Sequence, residues 1–307
     1  MSPISAAVVR PQTSLVISTR NRPGLVIDTV ASVLDGDEVP AEIVVVDQSE
    51  VANDRLQQMR DHGGCRIVYV ASHERGLSRG RNTGIRAAAF ESLAFTDDDI
   101  LVTRTWFSTL MDALAAEDGR TVVTGRVDVG EAEVPGGFAP STISDELPRR
   151  YRGRIGKDVL YSGNMAMTRA AIDEVGGFDE DLGPGARFPG AEDNDLGYRL
   201  FEAGYSIVYR PESVASHRSW RGRADYIPLR WRYGRGQGAF FAKHASRRDQ
   251  FMLRRFARHV ASRIRGLPRR LWTDPSASIG DLVYLCGELS GFAEWKLSRR
   301  RSGGHRP

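Results

Sequence analysis

Four short β-branched runs, LVIST (15–19), EIVVVD (42–47), RIVYV (66–70) and SLAFT (92–96), recur along the first third of the chain with polar stretches between them. Strands that are apolar along their whole length must be covered on both faces. The arrangement that allows this is a mainly parallel sheet with helices on either side. The spacing predicts those helices at 23–34, 51–60 and 82–91, the first opening on Pro23, whose missing N–H would be unbonded at a helix start anyway. The chain is therefore read as α/β, and 307 residues with 41% hydrophobic content suffice for one large domain of this kind plus an appendage.

Beyond residue 99 the pattern loosens. A helix is expected over 106–116, a strand over 121–129, and then a Gly/Pro-rich connector to about Gly156 that is the candidate for a mobile or variable segment. Order returns with YSGNMAMT, a helix over 169–175 and another over 193–203, with Leu196, Leu200 and Phe201 on one face and Gly204 as its stop. From about Tyr226 the sequence becomes Arg-rich and amphipathic. The division expected is a nucleotide-binding and catalytic region over 1–225 and a basic, amphipathic helical appendage over 226–307.

Charge follows the same division. Residues 247–307 hold 14 Lys and Arg against 5 Asp and Glu, whereas the preceding residues hold 29 against 34, so the net charge of +4 conceals a basic tail on a mildly acidic body. Nucleic acid is excluded as the tail's partner, because no helix-turn-helix, zinc-finger or aromatic-basic signature accompanies the charge. An anionic membrane face and a solvated surface remain. No run approaches the roughly 20 apolar residues of a spanning helix, and the first residues lack the apolar core of a secretory leader. Cys65 and Cys286 stand far apart, in no metal-ligand spacing. The expected location is the cytoplasm, with peripheral attachment to the inner face of the membrane as an option for the tail.

In open α/β sheets ligands bind beyond the carboxyl ends of the strands. The polar residues there are Thr19 and Arg20 after the first run, Asp47 after the second, and the triplet Asp97, Asp98 and Asp99 in FTDDDI after the fourth. Three adjacent carboxylates repel one another and need open water or a cation. A solvated acidic turn satisfies the first condition, so the triplet alone does not decide. A second acidic group, Glu192, Asp193 and Asp195 in GAEDNDL, enters a helix, where carboxylates also serve as ordinary caps. The glycines of GLSRGRNTG do not form the dinucleotide pattern.

Taken in order, VISTRNRP, IVVVDQS, GLSRGRNTGIRAA, AFTDDDI and PGAEDNDLGYRL resemble the inverting family 2 glycosyltransferases of the GT-A fold, over about residues 13–217. The resemblance implies a nucleotide-sugar donor, UDP-linked by expectation, across the carboxyl edge of the sheet. By it, Asp47 bonds the base or ribose, and Thr19, Arg20, Arg81, Asp97 and Asp98 contribute to the donor site. Asp97 and Asp99 form the D-x-D pair that binds a divalent cation, Mn2+ or Mg2+, with His217 completing its shell. Asp193 is implied as the general base that takes the proton of an acceptor hydroxyl, and Glu192 as the residue that positions the acceptor. The acceptor is expected to be a saccharide or a lipid-linked one in cell-envelope glycan synthesis. Trp220, Arg221 and Arg223 follow His217 at a place suited to acceptor contact.

Two rival readings fail on the residues. Haloacid dehalogenase phosphatases need D-x-D-x-T/V, but position 101 is Leu; sugar nucleotidyltransferases carry G-x-G-T-R-L where this chain reads STRNRP. A noncatalytic nucleotide-sugar-binding or scaffold protein on the same fold is the alternative of a different class, and release of nucleotide diphosphate from the donor discriminates it.

Overall fold

The computed structural model describes residues 8–59, 61–218 and 220–302. The expected leaderless start, the first seven residues, and the last five residues of the basic tail lie outside that range. The four apolar runs all lie in strands: β1 (Val8–Thr19), β2 (Glu38–Asp47), β4 (Cys65–Ala71) and β5 (Ser92–Asp97). They pair in parallel in the order β4-β2-β1-β5, with the two-residue β3 (Asp61–His62) on the outer edge. Thr19 stands opposite Asp47, and Ser18 opposite Asp97, so the carboxyl ends of β1, β2 and β5 reach one edge together.

The other half of the sheet is mixed. The strands β6 (Ile100–Val102), β7 (Thr121–Val129), β8 (Arg149–Arg152), β9 (Asn164–Thr168) and β10 (Ser206–His217) complete it. β9 lies antiparallel between β5 and β7, β10 runs parallel to β7, and β6 pairs antiparallel with the end of β10. That last pairing sets His217 opposite Ile100 and so brings the end of β10 to the acidic triplet. The expected loose connector is pinned by β8 against β10 and by bridges from Ile143 to Val127 and from Phe138 to Arg221.

Helices α1 (Pro23–Leu34), α2 (Asp54–Gln58), α3 (Leu77–Ala87), α4 (Trp106–Ala115), α5 (Arg169–Val175) and α6 (Glu192–Glu202) cover the sheet. Two cores result: Ile17, Val45, Trp106 and Phe107 on one face, Val16, Val46, Phe95 and Leu196 on the other. The helix expected over 51–60 shrinks to α2, which starts only where the Asn53 side chain accepts from the N–H of Leu56. The helix expected over 82–91 begins five residues earlier and ends four earlier. Its early glycines read as loop in sequence, but Gly80 and Gly84 face the sheet, where a Cβ would lie 1.9 Å from Ser18 Oγ and 2.3 Å from Val16 Cγ1. Their absent side chains let α3 lie directly on β1.

The chain after 226 is helical, as expected: α7 (Tyr226–His244), α8 (Phe251–Thr273) and α9 (Pro275–Ser302). α7 and α9 run side by side in backbone contact, and a Cβ at Gly238 would lie 1.9 Å from the carbonyl of Glu288. The three helices dock on the α/β body through Phe188, Ala239, Ala242 and Trp295, and through Tyr198, Phe240, Phe241 and, from α8, Met252.

Candidate active site

The strand ends, the start of α6 and one side of α7 enclose a cleft of about 650 Å³. Thr19, Arg20, Arg81, Asp97, Asp98, Asp99, Glu192, Asp193 and His217 all line it, so the structure brings together most of the residues singled out in the sequence, while Asp47, Asp195, Trp220 and Arg223 lie outside its lining. Asp47 is buried just behind the edge, accepting from the Ser49 N–H at 2.9 Å and the Tyr69 hydroxyl at 2.8 Å. Arg20 lines the cleft 3.8 Å from Glu50. Of the trio after His217, Arg221 alone lines the cleft; the Trp220 indole donates to the Gly130 carbonyl and Arg223 to that of Gly136.

The acidic triplet is no solvated turn. Asp98 and Asp99 are buried, and each of the three has a cationic or hydroxyl partner from a distant element. Asp97 accepts from Arg81 Nη2 at 2.6 Å. Asp98 accepts from Thr19 Oγ1 at 2.7 Å and Arg22 Nη1 at 3.0 Å, while Asp99 is 2.9 Å from the same Arg22 nitrogen and 3.2 Å from His217 Nε2. Burial and the charge of Asp99 push Asp98 up to about 6, against the pull of Arg22 and Thr19. Burial acts on Asp99 in the same sense but is outweighed by the hydrogen bond and charge of His217 and by Arg22, so this carboxyl lies below its ordinary range. The His217 imidazole, which burial alone would lower, is raised by Asp99. Its Nδ1 lies 3.3 Å from the Tyr161 hydroxyl.

Across the cleft the backbone enters α6 through Gly190 and Ala191, both at positive φ. Simple capping does not account for the carboxylates there. Asp193 turns to Ser162, accepting from both its hydroxyl and its N–H. Glu192 is buried, and burial reinforced by the Asp193 charge pushes it up to about 8, against Arg81. Burial raises Asp193 as well, while Arg81 and the Ser162 hydroxyl pull it back. Asp195 turns away from the cleft into contacts with Arg199, Lys243 and His244 at 2.8, 2.6 and 2.7 Å.

Arg81 links the two acidic groups. It is only 2% exposed, and its Nη1 lies 3.5 Å from Asp193 and 4.0 Å from Glu192 while Nη2 holds Asp97. The guanidinium lies over the Phe178 ring at 5.1 Å. Burial opposes its charge, but Asp97, Asp193 and Glu192 prevail and hold it protonated.

Sequence reasoning missed several lining residues. Arg22 sits inside the quoted VISTRNRP block, and its position three residues past the strand end was the available signal. Ser141, Tyr161, Tyr233 and Gln237 had none, since they come from the connector, from a turn and from a helix after 226.

Among the described residues no group of three or more His, Cys, Asp or Glu side chains is drawn together to hold a metal ion by itself. The donors at the triplet nonetheless suit a hard divalent cation. Asp99 and His217 converge, Asp97 is adjacent, and such ions commonly take one or two protein carboxylates and complete their shell with substrate phosphates and water. The fit is to an open, substrate-completed site, not to a closed protein cage.

Comparison with known proteins bears on this cleft. The model of Glycosyl transferase family 2 matches residues 14–176, which carry β1 to β5 and the triplet. The chain belongs to that family. It is 27% identical over 191 residues to a pre-mycofactocin glycosyltransferase of Mycobacterium tuberculosis, a match spanning 56% of this chain and 36% of that protein. It is 28% identical over 211 residues to a glucosyl-dolichyl phosphate glucuronosyltransferase of Haloferax volcanii, covering 65% of this chain and 66% of the relative. In fold it is similar to a mannosyltransferase of Pyrobaculum calidifontis in complex with GDP-Man and Mn2+, with TM-score 0.60, 17% identity and coverage of 91% and 87% of the two chains. It is also similar to S. aureus TarS in complex with UDP, with TM-score 0.56, 14% identity and coverage of 95% and 92%. These likenesses establish the family and a GT-A-like fold with C-terminal helices added.

Proposed function

We propose that this family 2 chain transfers a sugar, with inversion, from a nucleotide-diphosphate donor, UDP-linked by preference, to a hydroxyl of a saccharide or lipid-linked acceptor. The observation that carries the reading is the single cleft in which Asp97, Asp98 and Asp99 face Glu192 and Asp193 with Arg81 between them. One group lies at the strand ends where phosphates are bound in such sheets, and the other stands across from it, as a single in-line displacement requires.

In that reaction the bond from the anomeric carbon to the diphosphate oxygen breaks as the acceptor oxygen bonds to the same carbon from the opposite side, and the hydroxyl proton passes to Asp193. Two neighbouring carboxyls with different partners suit two roles. Glu192, raised to about 8, keeps its proton near neutral pH and can donate to the acceptor, whereas Asp193, restrained by Arg81 and Ser162, is the one left to accept a proton. Arg81 holds Asp97 and Asp193 at a set separation. Thr19 and Arg22 orient Asp98. Asp99 and His217, with Asp97, would hold a divalent cation, which would supply positive charge to offset that of the departing diphosphate. Asp47, behind the edge, braces the loop through Ser49 and Asn53 and is proposed to reach the base or ribose once a donor is seated.

The test is a panel of nucleotide sugars incubated with the chain and Mn2+, followed by release of nucleotide diphosphate. Release from at least one donor, lost in Asp193→Asn only when transfer to an acceptor is required, supports the reading. Donor binding with no release from any donor favours the noncatalytic alternative.

A further inference from the structure

α8 divides its surface between the protein and solvent. Met252, Arg255, Phe256 and His259 face inward: Met252 is buried, Arg255 reaches Asp158, Phe256 stacks on Phe292 at 4.7 Å, and His259 bonds Glu288 at 2.7 Å. Arg263 continues that row over the Tyr284 ring at 4.1 Å. Helical spacing sets Leu253, Ala257, Ile264, Pro268 and Leu271 along a second line to one side of it. Here the apolar surface is uncovered: Ile264 and Leu271 are 52% and 51% exposed, and Trp272 at the helix end is 92% exposed. Beside this line run Arg254, Arg258 and Arg265, all exposed and none with an acidic partner among the described residues. From 251 to 273 the sequence has seven arginines and no Asp or Glu.

A partner for this edge must answer both lines at once. Nucleic acid would meet the arginines and leave Ile264, Leu271 and Trp272 in water. An anionic bilayer meets both, with phosphates for the guanidinium groups and the headgroup–acyl boundary for the apolar line, where Trp is favoured. No described helix is long and apolar enough to cross a membrane, so the contact is along the surface. We propose that α8 lies on an anionic lipid bilayer, with Ile264, Pro268, Leu271 and Trp272 in the headgroup boundary and Arg254, Arg258 and Arg265 at lipid phosphates. Arg263 grips Tyr284, which lines the cleft, so a bilayer that holds α8 also holds the cleft at a set attitude to acceptors displayed on it. The docking itself does not depend on the transferase reading.

The full chain is mixed with sedimentable vesicles of phosphatidylcholine alone or with phosphatidylglycerol. At low salt, partition onto the anionic vesicles should be at least about tenfold stronger and should weaken as salt rises. Binding should shift tryptophan emission to the blue, and Trp272→Phe should lose most of that shift. The double variant Leu271→Ser, Trp272→Ser should lose partition while keeping its unfolding midpoint and any nucleotide release measured without vesicles. Equal partition onto neutral vesicles, no sedimentation at low salt, or an unchanged double variant overturns the proposal. So does a concentration-dependent dimer that the double variant abolishes, or retention of an oligonucleotide in place of vesicles. A chain that binds anionic vesicles but releases no nucleotide from any donor leaves the docking intact and removes the transferase reading.

Discussion

The two acidic groups that face each other across the cleft have similar composition and opposite organisation. At the strand end, Asp97, Asp98 and Asp99 are each met by a cation or hydroxyl brought from another element: Arg81 from α3, Thr19 and Arg22 from the end of β1 and the loop after it, His217 from β10. At the start of α6 the carboxylates part company. Asp195 turns away from the cleft to Arg199, Lys243 and His244 and is held well below the ordinary carboxyl range, because the hydrogen bonds and charges there overcome its burial. Glu192, one turn earlier, is buried with only a distant guanidinium for compensation and is raised to about 8. A carboxylate's chemistry here is set by burial and by the partners that long-range packing brings, together with the charge of the carboxylate beside it in sequence.

Each difference between the groups can be broken separately. The largest effect is expected at the proposed base: Asp193→Asn keeps the shape but cannot take a proton, and steady-state kinetics should show turnover lower by about 10²–10⁴-fold with donor affinity preserved. Turnover within a few-fold of wild type would return Asp193 to a structural role and move the base elsewhere. At the opposite wall, Asp99→Asn should remove about 3 kcal/mol of transition-state stabilisation, about 10²-fold in rate, and excess chelator should reproduce the loss in the unaltered chain. Full activity in chelator would show that the triplet acts without a cation.

The third test concerns stability. Asp195→Ala leaves Lys243 and His244 without the buried carboxylate that ties α7 to α6, and chemical denaturation should show a loss of about 3–5 kcal/mol. Because the Asp195 pKa is depressed in the folded chain, the stabilisation is present at pH values above the unfolded carboxyl range, about 3.9, and disappears only as pH falls through the lower folded value.

The smallest effect has the opposite sign. A carboxyl raised to about 8 makes the folded chain bind a proton that the unfolded chain releases near pH 4, so stability is lost as pH rises through that interval. Glu192→Gln should therefore raise the melting temperature by about 2–4 °C at pH 8 or above, with the gain fading below about pH 5, while acceptor use suffers. A melting temperature that is unchanged or lower at high pH would mean that Glu192 is ionised and compensated in the folded chain.

Much of this was legible beforehand where the signal is local. Uniformly apolar runs located β1, β2, β4 and β5, and the order of the motif blocks pointed to the family and to acidic residues that do meet in one cleft. The early start of α3 was not legible, because Gly80 and Gly84 weaken a helix in isolation and are useful only against Ser18 and Val16. Nor was the placement of Asp47 behind the cleft edge, since Tyr69, which binds it, belongs to the neighbouring strand.

By itself the sequence determined the α/β character, the parallel strands of the first half, the family, and the inventory of carboxylates, since each is written in local periodicity or in short ordered motifs. Tertiary structure alone decided that Arg81 is buried between both acidic groups, that Arg22 holds Asp98 and Asp99, and that α7 supplies Arg232, Tyr233 and Gln237 to the cleft. It also decided that Gly234 and Gly238 of α7 meet Gly287 and Gly291 of α9 in a seam so close that a Cβ at Gly291 would lie 2.1 Å from the carbonyl of Arg235. The physical reason is the same in each case. Hydrophobic periodicity reports which side of an element seeks cover, while the partner that covers it, and the charge or backbone it brings, depends on contacts between residues tens to hundreds of positions apart.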